Sequence, residues 1–162
     1  MEYSLLFEQL DKQKIRYLLC GGMAVNIYGI PRMPADIDLL LDFNEENVVR
    51  FEGVMKVLSY ISSIPLSLKI LVDKTEREKI IRDKNMVAYS FFNSRAGVMA
   101  LDVLIDVPLE FDEMWGRKEV RKISAGNVNL VSVEDLISLK KYANRKQDND
   151  DILLLSKLLK NG

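Results

Sequence analysis

Apolar residues along this chain change their spacing from one segment to the next, and the changes separate helices from strands. Leu5, Leu6, Phe7 and Leu10 recur at helical intervals and predict a short amphipathic helix over residues 3–14. Residues 17–20 form an unbroken apolar run closed by Gly21 and Gly22, the mark of a buried strand. A short helix over 23–28 follows, stopped by Gly29 with Pro31 just beyond. Residues 36–42 make a second strand, and Val48, Val49, Val54, Met55 and Leu58 set helical spacing over 45–60.

Residues 62–68 are a turn region around Pro65, and the charged stretch 76–83 predicts a surface helix. Two apolar runs, 87–92 and 98–107, read as a strand pair joined by a turn over 93–97. Residues 111–118 fit neither period. A short strand over 128–131 leads to Ser132, which caps a helix running to about Asn144, with Asp135 completing an approximate capping box. A last helix, from about 149 to 159, carries the stripe Ile152, Leu155, Leu158 and Leu159. This order predicts a mixed α/β (α+β) fold: a small mixed sheet flanked by helices, with further helices at the C-terminus. The length suits one domain over 1–162, with a core over about 1–110 and a C-terminal helical portion over about 111–162.

Charge and composition narrow the chemistry more than the fold. The net charge of −1 provides no broad basic field to hold nucleic acid, which leaves only a local patch for such a partner. The N-terminal stretch MEYSLLFEQLDKQ has no basic leader followed by a long apolar core, and no apolar run approaches membrane-spanning length. The expectation is a cytoplasmic protein without a membrane partner. Histidine is absent and Cys20 is the single cysteine. Ser–His–Asp and Cys–His catalysis and cysteine or histidine zinc sites are therefore excluded. Cys20 itself reads as a small buried hydrophobe. Any catalysis rests on carboxylates, lysine, arginine, tyrosine, or a metal held by oxygen ligands.

Asp36 and Asp38 are the first candidates. Residues two apart in a strand point to the same side, so their carboxylates stand together while Ile37 and Leu39 face the core. At about 4 Å and an effective dielectric near 20, two such charges repel by about 4 kcal/mol. A divalent, oxygen-seeking cation relieves that repulsion directly. An isolated acid-x-acid pair is commonly just a solvated strand end, but a second acidic strand changes the balance. Within VMALDVLIDV, Asp102 is the acid set most deeply in apolar sequence, while Asp106, before Pro108, reads as a strand-exit residue. Three carboxylates on neighbouring strands would suit one or two metal ions and a phosphate-bearing substrate. Gly21–Gly22, between a strand and a helix, would let a phosphate approach the backbone closely.

Gly21–Gly22, Gly29, Arg32, Asp36–Ile37–Asp38 and Asp102 together resemble the nucleotidyltransferase superfamily, the DNA-polymerase-β-like fold. The order GG…G-x-x-R-x-x-x-D-x-D is most similar to its minimal bacterial and archaeal branch, which includes the AbiEii-type toxin nucleotidyltransferases. In the tail, Lys140 followed by Arg145, Asp148 and Asp151 is similar to that branch's lysine and R-x-x-D-x-x-D pattern. Pro34 departs from it, standing where relatives carry threonine or serine.

The resemblance implies a nucleotidyltransferase fold and an enzyme that moves a nucleoside monophosphate from an NTP to a hydroxyl acceptor, releasing pyrophosphate. It leaves RNA, protein and small molecules open as acceptors. It assigns Asp36, Asp38 and Asp102 as catalytic residues and as ligands of Mg²⁺, or of Mn²⁺ in its place. Asp102 would also orient or deprotonate the acceptor. It assigns Gly21, Gly22, Arg32 and Lys140 to the nucleotide. A protein partner encoded nearby is implied for a toxin–antitoxin component, and a non-catalytic nucleotide- or partner-binding member of the same fold is the alternative. Arg145 with Asp148 reads equally as a helix-junction brace or a nucleotide contact. Tyr89, Phe91, Phe92 and Trp115 are expected to pack in the core or at edges, not to serve as stacking platforms.

Overall fold

The computed structural model describes residues 3–124 and 126–162. Helix α1 (Ser4–Lys12) leads into strand β1 (Tyr17–Cys20), and helix α2 (Gly21–Ile27) starts directly at the strand's end without a loop. Strand β2 (Asp36–Leu41) runs antiparallel to β1 with Cys20 opposite Asp38. Helix α3 (Glu45–Val57) begins at Asn44, whose side chain accepts from the Asn47 amide. Helix α3 ends earlier than its apolar spacing suggests, because Ser59 turns the chain at φ +62 and frees strand β3 (Tyr60–Ser62). A 3₁₀ turn at Leu68–Leu71 and helix α4 (Lys74–Lys84) follow, then strands β4 (Ala88–Asn93) and β5 (Ala100–Leu104). Helix α5 (Phe111–Gly116) resolves the ambiguous segment, and strands β6 (Glu119–Ile123) and β7 (Gly126–Leu130) complete the sheet. Helices α6 (Val133–Ala143) and α7 (Asp148–Asn161) close the chain.

The seven strands form one mixed sheet in the order β3-β4-β5-β2-β1-β7-β6. β2 and β5 are parallel at its centre, and β7 joins β1 in parallel. The segment from about 111 is thus not only helical, because its two strands extend the same sheet. β6 escapes sequence detection because, as an edge strand, it has few apolar positions to bury: Val120, Arg121 and Lys122 are exposed.

Both faces of the sheet are buried along β1 and the end of β2, and the face opposite the acids carries core along its length. Ile37, Leu39, Leu101, Val103, Tyr89 and Phe91 are buried there, and Phe91 meets Phe51 of α3 edge-on at 5.9 Å. Each such aliphatic side chain contributes about 1.5–3 kcal/mol on burial. Ile37, Leu39, Leu101 and Val103 together outweigh the roughly 4 kcal/mol of repulsion expected between two acids on the opposite face. Asn47, fully buried, ties α3 to the sheet: it accepts from the Arg16 amide (2.8 Å) and donates to the carbonyls of Arg16 (3.0 Å) and Asp42 (2.9 Å). The entry to β1 and the end of β2, the strand that carries Asp36 and Asp38, are thereby held together.

Candidate active site

Alternation along β2 buries Ile37 and Leu39 and turns Asp36 and Asp38 to the other face. The parallel register sets Asp102 of β5 beside Asp38. The three side chains offer oxygens that all lie within 4.8 Å of one another. Burial, then the neighbouring charges of Asp36 and Asp102, pushes the Asp38 carboxyl up to about 6. Asp36 is raised too, by burial first and Asp102 second, while Arg145 opposes both shifts. A set of three hard oxygen donors whose mutual repulsion resists ionisation fits a divalent cation such as Mg²⁺.

Asp102 is not the most deeply set acid: it is half-buried, whereas Asp135, Asp148 and Asp151 are buried among the described residues. Its apolar neighbours in sequence point to the core face, and its own face is open. Asp106, beyond the end of β5, accepts a hydrogen bond from the Tyr142 hydroxyl at 2.8 Å, consistent with a strand-exit residue.

The glycine pair is built into the acid site. Gly21 has φ +64, and a Cβ there would fall 1.9 Å from Asp38 Oδ2, so no other residue fits without moving the acid. A Cβ on Gly22 would make only ordinary contact with Pro34, at 3.5 Å. Cys20, just before them, is buried; its thiol donates to the Asp38 carbonyl at 3.4 Å and is pushed well up by burial and by Asp38. That matches its reading as a structural hydrophobe.

Arg32 and Lys140 meet in a separate network. Lys140 is 4% exposed, and its Nζ sits between Asp148 Oδ1 (3.0 Å) and Asp151 Oδ2 (2.8 Å), each acid 1% exposed. Arg32 donates to Asp151 Oδ2 at 3.0 Å and to the Gln147 carbonyl at 3.4 Å. Arg145 donates through Nε to Asp148 Oδ2 at 3.0 Å. The network joins the glycine-to-acid loop to both C-terminal helices. It also holds Arg145 at the mouth of the acid site, where its charge reaches Asp36 and Asp38. Sequence spacing alone left this open, because the i,i+3 pairing of Arg145 with Asp148 says nothing of what lies across the cleft.

That cleft, about 450 Å³, opens between the acid face of the sheet and α6. Gly21, Asp38 and Arg145 line one end, and Val87, Leu104 and Leu139 are among its apolar walls. A second cavity of about 530 Å³, lined by Phe43, Arg77 and Phe111, includes none of the three acids. No helix among the described residues is long and apolar enough to cross a membrane.

A mixed sheet bearing three convergent carboxylates beside a Gly–Gly turn defines a nucleotidyltransferase-like protein, and solved structures share the fold. The neighbour ANT(2")-Ia, solved in complex with adenylyl-2"-tobramycin, is 15% identical, covering 97% of this chain and 86% of its own, at TM-score 0.58. The lincosamide antibiotic adenylyltransferase LnuA, lincomycin-bound, is 15% identical over 96% of both chains, at TM-score 0.61. An antigenic nucleotidyltransferase-like protein from Paracoccidioides brasiliensis is 17% identical over 96% of this chain and 73% of its own, at TM-score 0.55. At such identities the likeness is one of fold. The model of the AbiEii family, described as the nucleotidyl transferase AbiEii toxin of a type IV toxin–antitoxin system, matches residues 4–151, and the chain belongs to that family. No curated protein sequence matches it.

Proposed function

We propose that this protein transfers a nucleoside monophosphate from an NTP to an acceptor hydroxyl, with Mg²⁺ held by Asp36, Asp38 and Asp102. The observation that carries the reading is the convergence of those carboxylates within 4.8 Å, directly against the backbone of Gly21. The acceptor oxygen forms a bond to the α-phosphorus as the bond from that phosphorus to the bridging oxygen breaks. The electron pair departs with pyrophosphate. Asp102 takes the hydroxyl proton at a carboxylate oxygen and returns it to solvent. Gly21 and Gly22 present backbone amides to the phosphates at the start of α2, where no intrahelical acceptor exists for them. A bound Mg²⁺, or Mn²⁺ in its place, would neutralise the charge that develops on the phosphoryl group and on the departing pyrophosphate.

Arg145, at the mouth of the site, adds a positive charge facing the phosphates. Lys140 and Arg32 act on the nucleotide through the network that positions it. Purified protein with Mg²⁺ and α-labelled NTPs should release pyrophosphate and label an acceptor, and Asp38→Asn should abolish both while remaining folded. Hydrolysis to free phosphate without pyrophosphate would overturn the reading in favour of a phosphohydrolase. The family's toxin–antitoxin setting supports a protein partner encoded nearby, and co-purification with the product of the adjacent gene tests it.

A further inference from the structure

The two edges of the sheet are built differently. β6 exposes Arg121 and Lys122, charged side chains of the kind that keep an edge strand from pairing. β3, at the other end of the strand order, has no such guard, because residues 57–68 include no charged residue. Its inner side is engaged: the Ser63 amide donates to the Ser90 carbonyl at 2.9 Å, one step past the pairing of Ser62 with Phe91. Antiparallel ladders alternate, so Ile61 and Phe92 form the next hydrogen-bonded pair, and the N–H and C=O groups of Tyr60 and Ser62 point outward. The Ile105 amide, donating to the Val87 carbonyl, sets the same alternation from the β5 side and turns Ser90 and Phe92 toward β3. Among the described residues, no turn or loop backbone bond takes up the outward groups. Tyr89 and Phe91 are buried on the core side, so Phe92 and its cross-strand neighbour Ile61 stand on the other face, 55% and 65% exposed. Phe92 is therefore not the packing residue its place in an apolar run suggests.

We propose that β3 is a self-association edge, where a second copy of this chain adds its own β3 antiparallel across a two-fold axis at Ile61. The proposal goes beyond nucleotidyl transfer and does not depend on it. That axis sets Tyr60 opposite the partner subunit's Ser62, and Ser62 opposite the partner subunit's Tyr60. Each pair exchanges two backbone hydrogen bonds, which satisfies every outward group of both strands. Ile61 then meets the partner subunit's Ile61 as a non-hydrogen-bonded pair, with α-carbons about 4.5 Å apart and side chains at their closest. Phe92 of each copy flanks that pair, so the exposed apolar side chains cover one another. Charge permits self-pairing at this edge and opposes it at the other. A two-fold axis brings each residue near its own equivalent, and within residues 57–68 no like charges meet. The same operation on β6 would set Arg121 and Lys122 against themselves. A strand of three residues offers too few backbone bonds to hold an unrelated peptide without an apolar residue against Ile61, and a copy brings that residue by symmetry. On the core side a groove of about 510 Å³ opens beside β3, walled in part by Tyr60, Ile64 and Pro65, which leaves room for the neighbouring chain. Antiparallel pairing keeps the acid faces of both copies on one side. Their β2 strands then lie seven strand spacings, roughly 34 Å, apart.

Sedimentation velocity on the full chain should show a dimer at tens of micromolar, the weak affinity expected of a small interface. Ile61→Lys, a change at an exposed position, should return the protein to monomer and leave its affinity for a non-hydrolysable ATP analogue unchanged. Crosslinking reads the register. Cys20 is buried, so Ile61→Cys provides the accessible thiol. Oxidation by oxygen with copper phenanthroline should give a disulfide-linked dimer, because α-carbons about 4.5 Å apart lie within disulfide reach. Ser63→Cys, also exposed, should not, because Ser63 lies opposite the partner subunit's Ser59, about 13 Å along the strand from its own equivalent. The proposal is overturned if the parent stays monomeric, if Ile61→Lys leaves the dimer intact, or if Ile61→Cys crosslinks no better than Ser63→Cys. A monomer that uses Ile61 only to bind the product of the adjacent gene also overturns it and gives the edge to that protein. Calorimetry with the ATP analogue keeps the two readings apart. A dimer that binds no analogue defeats nucleotidyl transfer alone, whereas a monomer that binds it defeats only the self-association.

Discussion

The α-carbon of Gly21 rests against the carboxylate of Asp38, closely enough that a β-carbon would fall 1.9 Å from Oδ2. Gly21→Ala must therefore displace the acid, and its left-handed backbone adds roughly 1–2 kcal/mol of strain. Because a displacement near 1 Å at a reacting centre costs about 10²-fold, kcat/KM for nucleotidyl transfer should fall at least that far. Gly22→Ala, whose methyl meets Pro34 at an ordinary 3.5 Å, should fold normally and act mainly on KM for the NTP. Steady-state kinetics on the two variants separates the effects.

The Asp38 carboxyl titrates at about 6 in the folded protein against an ordinary 3.8, so the metal-free fold binds the extra proton. Stability from this group is complete below about pH 4 and is lost as pH rises through 6, by up to about 3 kcal/mol. Asp38→Asn should remove that loss, making the metal-free variant more stable than the parent at pH 7.5 but not at pH 4. Urea unfolding in EDTA at both values measures it. Mg²⁺ affinity should fall as pH drops below 6, with proton release on binding, measured by calorimetry in buffers of different ionisation enthalpy.

Lys140 stands between two carboxylates as buried as itself. Lys140→Met removes the buried cation between them, leaving Asp151 with only Arg32 and Asp148 with only Arg145, and should destabilise the protein by about 3 kcal/mol. Lys140→Met combined with Asp151→Asn should recover part of that loss in denaturant unfolding. Burial pushes the Asp148 carboxyl up, but the hydrogen bonds from Arg145 and Lys140 outweigh it and hold the group below its ordinary value. Its contribution has the opposite sign to that of Asp38: it is present above the ordinary carboxylate pKa and lost as pH falls through the lowered one.

Asn47 acts only behind the site. Asn47→Ala deletes a buried amide that holds Arg16 and Asp42, and it should cost about 2–4 kcal/mol of stability. Below its melting temperature the variant should keep the parent's NTP affinity, as calorimetry would read.

Much of the site was legible because its signals are local. The two-residue period of a strand puts Asp36 and Asp38 on one face whatever surrounds them, and Ser132 caps α6 through the Asp135 amide as its spacing suggests. The edge strands β3 and β6 were not legible. One is three residues long and follows a helical pattern without a break, and the other exposes most of its side chains.

What the sequence determined by itself is the chemistry: no histidine, one inert cysteine, an acid-x-acid strand, a third acid in a second strand, and a glycine pair with room for phosphate. Residue type and short-range spacing suffice for these because strand alternation and glycine's conformational freedom are properties of a few adjacent residues. Tertiary structure alone decided that Asp102 pairs with Asp38, that Lys140 lies between Asp148 and Asp151, and that Phe92 stands open while Phe91 is buried. Each of these depends on which strands become neighbours and which face a helix covers. That outcome is set by the burial of the whole core, not by any stretch of sequence within it.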